Sequence, residues 1–317
     1  MSESQRYQKL IESARKIDPP CCAVAHPCDA GSLASAVEAA KLGLFRPVLV
    51  GPQRRIERVA KENNLDISDF ERVDTPHSHA SADLAVEHVQ SAEASLLMKG
   101  SLHTDELMHA VIKHRGGLRT ERRISHVFIM DVPNYDELLF ITDAAVNIFP
   151  DLETKADIVQ NAIDLHHGLG LGRPRVAILS AVEQVTSKIP GTIEAAALCK
   201  MADRGQIQGG DLDGPLALDN AISPDAARIK GIDSPVAGRA QILVVPDLEA
   251  GNMLAKNLTF LGGAAAAGVV LGARVPIVLT SRADSGSTKL ASCAVASLYA
   301  DHLMRCQAAL AAGADNE

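Results

Sequence analysis

The feature that most constrains the fold is an alternation, sustained along nearly the whole chain, of short apolar β-rich runs and longer helical periods. Residues 23–25, 47–50, 95–99, 127–130, 138–142, 176–179, 242–245 and 277–279 read as strands. Between them, residues 29–43, 81–92, 154–165, 193–201, 254–261 and 287–312 carry helical periodicity. In the first of these helices Leu33, Ala36, Val37 and Ala40 fall on one face, Asp29 can cap the start and Gly43 can end it. Strands that alternate with helices imply parallel pairing with helices on both faces of the sheet. The reading is an α/β protein of two lobes, residues 1–133 with 273–317 and residues 134–272, with the stretch 131–136 as the crossing between them. Such sheets take ligands at the carboxyl ends of their strands or between lobes, which directs attention to the loops that follow strands.

Composition removes several function classes. The chain has 317 residues and a formal net charge of -8. Its nearest approach to a basic patch, Arg115, Arg119, Arg122 and Arg123, lacks interleaved aromatics, and there is no Trp. A nucleic-acid partner is not expected. The six cysteines form no CxxC pair, so neither a disulfide framework nor a structural zinc is expected. The polar N-terminus is unlike a signal peptide, and the longest apolar stretch, residues 261–273, is too short and too glycine-rich to span a bilayer. A cytoplasmic protein that acts on small molecules, with no membrane partner, is the expectation.

The post-strand loops are rich in small hydroxyl residues, glycines and single cations. Lys99-Gly100-Ser101-Leu102-His103-Thr104, Asp211-Leu212-Asp213-Gly214-Pro215, Pro246-Asp247-Leu248-Glu249-Ala250-Gly251-Asn252 and Thr280-Ser281-Arg282-Ala283-Asp284-Ser285 stand out. Backbone N–H groups, helix N-termini and a few fixed positive charges are what a phosphate site needs. Each loop also has a plainer reading. Asp247 and Glu249 suit the start of a helix, Asp213 to Pro215 suit a turn into one, and His103 suits a structural hydrogen bond. His166-His167 has no carboxylate at ligand spacing, so metal binding is not expected. The run Gly168 to Gly172 precedes a strand instead of opening a helix after one, which excludes a dinucleotide loop. Cys28, two residues after His26, could form an acyl-enzyme, although a buried structural cysteine is the commoner outcome.

Several segments in order carry a specific resemblance. Lys99 to Thr104, Val127 to Met130, Asp213-Gly214-Pro215-Leu216 with Asp219, Ser234-Pro235-Val236-Ala237-Gly238-Arg239-Ala240, Pro246 to Asn252 and Thr280-Ser281-Arg282 resemble the phosphate acetyltransferase/phosphate butyryltransferase family over nearly the whole chain. The resemblance implies a two-lobed parallel-sheet fold like that of the isocitrate and isopropylmalate dehydrogenases, with the site in the cleft between lobes. It implies interconversion of acyl-CoA plus phosphate with acyl phosphate plus CoA, no metal or redox cofactor, and a homodimer or larger homo-oligomer. Ser281 and Arg282 match the family's Ser-Arg pair, with Ser281 donating to the carbonyl or sulfur and Arg282 holding phosphate through its planar fork. Lys99, Ser101, His103, Thr104, Asp213, Asp247, Glu249, Gly251 and Asn252 are the expected substrate-binding residues. The chain departs from the family's acetyltransferases seven residues after that Ser, where a catalytic Asp is replaced by Thr288. An Arg expected after the His-Thr segment is also missing from the stretch 105–110. Asp284 is the candidate for the missing base, with Lys99 or Arg119 supplying charge. The acyl group expected is acetyl, with butyryl or another short chain as the alternative, and a non-catalytic acyl-CoA-sensing module is the alternative of a different class.

Overall fold

The computed structural model describes residues 5–279 and 285–314. Ser281, Arg282 and Asp284 lie outside the described residues. The chain divides into two compact units, Met1–Arg122 with Ala267–Glu317, and Arg123–Ala266.

In the first unit the strands are β1 (Cys21–Ala25), β2 (Arg46–Val50), β3 (Glu71–Val73), β4 (Leu96–Lys99), β10 (Ala265–Leu271, which begins at the unit boundary) and β11 (Ile277–Val278). Their order across the sheet is β3-β2-β1-β4-β11-β10. The first five are parallel, with Cys22 opposite Leu96, Val24 opposite Leu49 and Val278 opposite Met98. β1, β2 and β4 are almost wholly buried apolar runs, as strands covered on both faces must be. The covering helices are α1 (Gln5–Ala14), α2 (Ala30–Lys41), α3 (Gln53–Glu62), α4 (Ser78–Gln90), α5 (Thr104–Ile112) and α11 (Gly286–Ala314). α2 starts as its sequence requires: Asp29 accepts a hydrogen bond from Ser32 N at 2.7 Å, and Leu33, Ala36 and Val37 are buried. Gly43, at φ 73°, turns the chain away at its end. α11 packs on α1 and α2 and is tied to the sheet where Gly268 N donates to Ser292 Oγ at 3.0 Å.

The second unit holds β5 (Ser125–Asp131), β6 (Leu139–Thr142), β7 (Arg175–Leu179), β8 (Asp211–Leu216) and β9 (Ile242–Val244), in the order β5-β6-β9-β7-β8. Its helices are α6 (Leu152–Gly168), α7 (Pro190–Asp203), α8 (Leu218–Ile222), α9 (Pro224–Ile229) and α10 (Leu248–Phe260). The core gathers Ile141, Ala177, Leu179, Leu216, Leu243 and Val245 from four adjacent strands or their ends.

Three expectations are corrected. Pairing is not parallel throughout: β5 runs antiparallel to β6, and β10 to β11. The connections are too short to hold a crossover helix, so each strand must fold back on its predecessor. The stretch 131–136 therefore joins two strands of the second unit, and the chain passes between units at Arg122/Arg123 and Ala266/Ala267, where the sequence reading had 133 and 273. Asp213, Gly214 and Pro215 lie inside β8 and not in a turn before a helix. A register shift opposite Ala177 and Leu179 absorbs them, and Gly214 is backed so closely onto Ile178 that a Cβ would come within 2.7 Å of it.

Candidate active site

The carboxyl ends of parallel strands lie along one edge of each unit's sheet, and most of the expected residues fall there. In the first unit the β1–α2 and β4–α5 loops are knitted together. Gly100 N donates to Ala25 O (2.8 Å), Ser101 N to His26 O (2.9 Å) and Ser101 Oγ to the same His26 carbonyl (2.9 Å). Cys28 N donates to Ser101 Oγ at 3.2 Å. Only glycine fits at position 100, because a Cβ would sit 2.4 Å from Ala25 O and 2.5 Å from His26 O. Lys99 is buried at the end of β4, and its ammonium donates to Gly100 O (3.2 Å) and Leu102 O (3.3 Å), curling the loop around a positive charge. His103 and Thr104 follow, exposed, at the N-cap and first residue of α5.

β11 ends beside β4, with Val278 opposite Met98, and the chain is described again from Ser285, which caps α11. Ser285 Oγ accepts from Thr288 N (3.2 Å) and donates to Thr288 Oγ1 (3.1 Å), so the hydroxyl that stands where the family's Asp would be belongs to a helix cap. Lys289 reaches back to the start of α2, where a Cβ on Gly31 would lie 3.6 Å from Lys289 Nζ and 3.5 Å from Asp29 Oδ1. Three helices, α2, α5 and α11, thus begin on the strand-end edge of the first unit, with Lys99 and Lys289 beside them. Helix N-termini and ammonium groups together favour an anion.

His26 and Cys28 do not form a nucleophile and base. His26 Nδ1 is hydrogen-bonded to Ser81 Oγ at 2.9 Å, and Ser81 also bonds Thr75. Burial holds the imidazole below its ordinary pKa and pushes the Cys28 thiol up to about 11. A thiol so buried carries almost no thiolate at neutral pH.

In the second unit, Asp247 caps α10, accepting from Ala250 N at 2.8 Å, and Glu249 is exposed in the first turn. Gly251 and Asn252 bolt this helix onto the loop after β6. A Cβ on Gly251 would meet Val245 Cγ2 at 2.7 Å and Asp143 O at 2.9 Å, and Asn252 Nδ2 donates to Ala144 O at 3.2 Å. Asp213 sits two strands away, opposite Ala177, and its carboxylate accepts from Gly214 N at 2.8 Å. With burial, its charge pushes the neighbouring Cys199 thiol up to about 12.

The hub of this edge was missed in the sequence. Asp143 is buried directly after β6, and its two oxygens accept from Ala145 N (2.9 Å), Val146 N (3.1 Å), Asn147 N (3.1 Å) and Asn147 Nδ2 (2.6 Å). Asn147 Nδ2 also donates to Ile124 O at 2.8 Å. The signal was present as an Asp and an Asn four apart after a strand, a spacing that lets one carboxylate close a turn of backbone N–H groups. His126 lies close enough to feel the Asp143 charge, yet burial prevails and lowers its pKa to about 4. The Ser234 to Ala240 motif takes no place at this edge. Gly238 N donates to Asn220 O (2.7 Å), and Arg239 O accepts from Arg175 at the opposite end of β7. The motif packs α8 and α9 beside a surface hollow of about 480 Å³.

Among the described residues no cluster of His, Cys, Asp and Glu is arranged to hold a metal ion, and no helix is long and apolar enough to cross a membrane.

Comparison with known proteins gives this geometry its family. The family described as phosphate acetyl/butaryl transferase matches residues 77–297. A phosphate acetyltransferase of Rhizobium meliloti is 68% identical over 299 residues, covering 94% of this chain and 95% of its own. Among solved structures, a branched-chain phosphotransacylase from Enterococcus faecalis V583 matches with a TM-score of 0.77 and 31% identity, over 89% of this chain and 99% of that one. A 4-hydroxythreonine-4-phosphate dehydrogenase from Burkholderia phymatum shares the fold alone, with a TM-score of 0.55 and 15% identity over 89% of this chain and 98% of its own. The dehydrogenase-like α/β architecture and the membership expected from the motifs both stand: the chain belongs to the phosphate acetyl/butyryl transferase family.

Proposed function

We propose that this chain is a phosphate acetyltransferase, interconverting acetyl-CoA and phosphate with acetyl phosphate and CoA in the cytoplasm, as a homodimer or larger assembly. The observation that carries the reading is the likeness, over nearly the full length, to a relative named for that reaction, far above the likeness to the branched-chain enzyme. In the direction of acetyl-CoA synthesis the CoA thiolate attacks the acetyl carbon of acetyl phosphate in a ternary complex. A C–S bond forms, the carbonyl oxygen takes up the charge, and collapse of the tetrahedral adduct breaks the C–O bond to phosphate. Arg282 holds the phosphate, Ser281 donates to the developing oxyanion, and Asp284 takes the proton from the thiol. Lys99 and Lys289, beside the N-termini of α2, α5 and α11, support the choice of a phosphate-bearing substrate. The buried, protonated Cys28 supports direct transfer over an acyl-enzyme. CoA and phosphate enter as substrates and the steps call for no metal or redox cofactor.

The test is thiol release from acetyl-, propionyl- and butyryl-CoA, with and without phosphate, after dialysis against EDTA. The expected result is phosphate-dependent release with the highest kcat/KM for acetyl-CoA. Each added methylene then shifts selectivity by about 1–3 kcal/mol. A preference for butyryl-CoA would overturn the acetyl assignment.

A further inference from the structure

His26 holds a backbone geometry that side chains rarely adopt. It is 5% exposed and has φ 56°. The loops around it fix it there: His26 N donates to Val50 O (2.7 Å), and its carbonyl accepts from Cys28 N (2.8 Å), Ser101 N (2.9 Å) and Ser101 Oγ (2.9 Å). Strain that the surroundings over-determine clusters at positions that hold ligands. The ring is fixed as firmly as the backbone. A carbonyl only accepts, so the one Ser81 hydroxyl proton goes to His77 O at 3.0 Å. Ser81 Oγ therefore accepts from His26 Nδ1 (2.9 Å) and from Thr75 Oγ1 (2.8 Å). The imidazole, which burial holds below its ordinary pKa, is neutral at pH 7, with its proton on Nδ1 and an unshared pair on Nε2. Among the described residues Ser81 alone bonds the ring.

A second acceptor stands nearby without a donor. Glu106 lies in the first turn of α5, and its Oε2 is buried with no hydrogen-bond partner among the described residues. Its charge reaches His26, as does that of the exposed Arg55 near the start of α3. Unpaired acceptors call for a donor, while Arg55, with Lys99 and Lys289 on the same strand-end edge, calls for an anion. An anion that still carries a proton meets both demands. We propose that His26 Nε2 and Glu106 accept the O–H groups of inorganic phosphate and so select phosphate over sulfate. Phosphate near neutral pH carries one or two O–H groups, whereas sulfate carries none and sets bare oxygens against both lone-pair acceptors. The inference rests on the proposed reaction, because it assigns both residues to that reaction's phosphate.

The experiment is a titration of inorganic phosphate into the full chain without acetyl-CoA, followed by ³¹P line width, with sulfate as competitor. Asn accepts a left-handed φ and its amide can donate to Ser81, so His26→Asn removes Nε2 and keeps the rest. Glu106→Gln puts an amide that can donate where a carboxylate accepted. The wild type is expected to bind phosphate at least about a hundredfold more tightly than sulfate. Each variant is expected to cut that ratio at least about tenfold, and to raise KM for phosphate while leaving KM for acetyl-CoA unchanged. A wild type that binds both anions equally, or an unchanged ratio in either folded variant, would overturn the inference. Equal losses for the two anions would do the same, since a merely structural role lowers both alike. Normal turnover with an unchanged ratio sinks this inference and leaves the reaction standing, whereas a shifted ratio without acetyl phosphate formation does the reverse.

Discussion

Arg282 and Asp284 carry the chemistry proposed for this chain, and substitution reads their roles directly. Arg282→Ala is expected to lower turnover by roughly 10²–10³, the range for a lost charge-stabilising donor. Asp284→Asn keeps the size of the side chain and removes the base, so turnover falls and the loss shrinks as pH rises and CoA ionises unaided. Full turnover in Asp284→Asn, with folding intact, would show that the proton goes elsewhere. These residues enter by resemblance of the segment Thr280 to Ser285 to the family's, since a short motif can be matched without a fold. Asp143 is the opposite case. Its four hydrogen bonds exist only once the loop after β6 closes around it. A second residue-scale expectation concerns acid. Burial lowers the pKa of His26, His126 and His166 below their ordinary value. The unfolded chain therefore binds more protons than the folded one below about pH 6.5, and stability that is complete above that pH drains away towards pH 4. Urea midpoints measured from pH 7.5 to 4.5 should fall with acid, and His126→Phe should flatten the slope; an unchanged slope would remove His126 from the account.

At the scale of elements, α10 shows how a candidate binding loop can double as a structural joint. Asp247→Ala removes the cap and should cost about 1 kcal/mol, while Asp247→Ser should restore most of it. Gly251→Ala inserts a methyl group against Val245 and Asp143 and should cost about 1–3 kcal/mol by denaturant unfolding. Equal stability of Asp247→Ala and wild type would show that the carboxylate is held for substrate alone. Elements with one dominant local signal were readable from sequence. α2 combines a cap, an apolar face and a terminating glycine, and β1, β2 and β4 are continuous apolar runs. Elements defined by a partner were not. β8 contains Gly214 and Pro215, which read as a turn until Ile178 and the register shift beside it account for them. β10 is so rich in alanine and glycine that its sequence resembles a packing segment, and its pairing with β11 settles its identity. The antiparallel returns depend on loop length, a property that strand patterning alone does not carry.

Over the whole molecule, the chain builds one α/β unit, inserts a second, and returns to complete the first with β10, β11 and α11. The return sets β11 against β4, so two segments far apart in sequence, after Val278 and after Lys99, leave neighbouring strands at the same edge. That convergence explains why the ordered motifs were informative together when each alone was weak. The net charge of -8 would repel CoA and phosphate at long range, so binding must rest on local cations and helix N-termini. The most direct measurement of the central claim is ³¹P NMR of acetyl-CoA and inorganic phosphate incubated with the purified chain. The account predicts a growing acetyl phosphate resonance, matched mole for mole by free thiol and reversed by added CoA. Thiol release with no acetyl phosphate, or no reaction at all from folded protein, would contradict it.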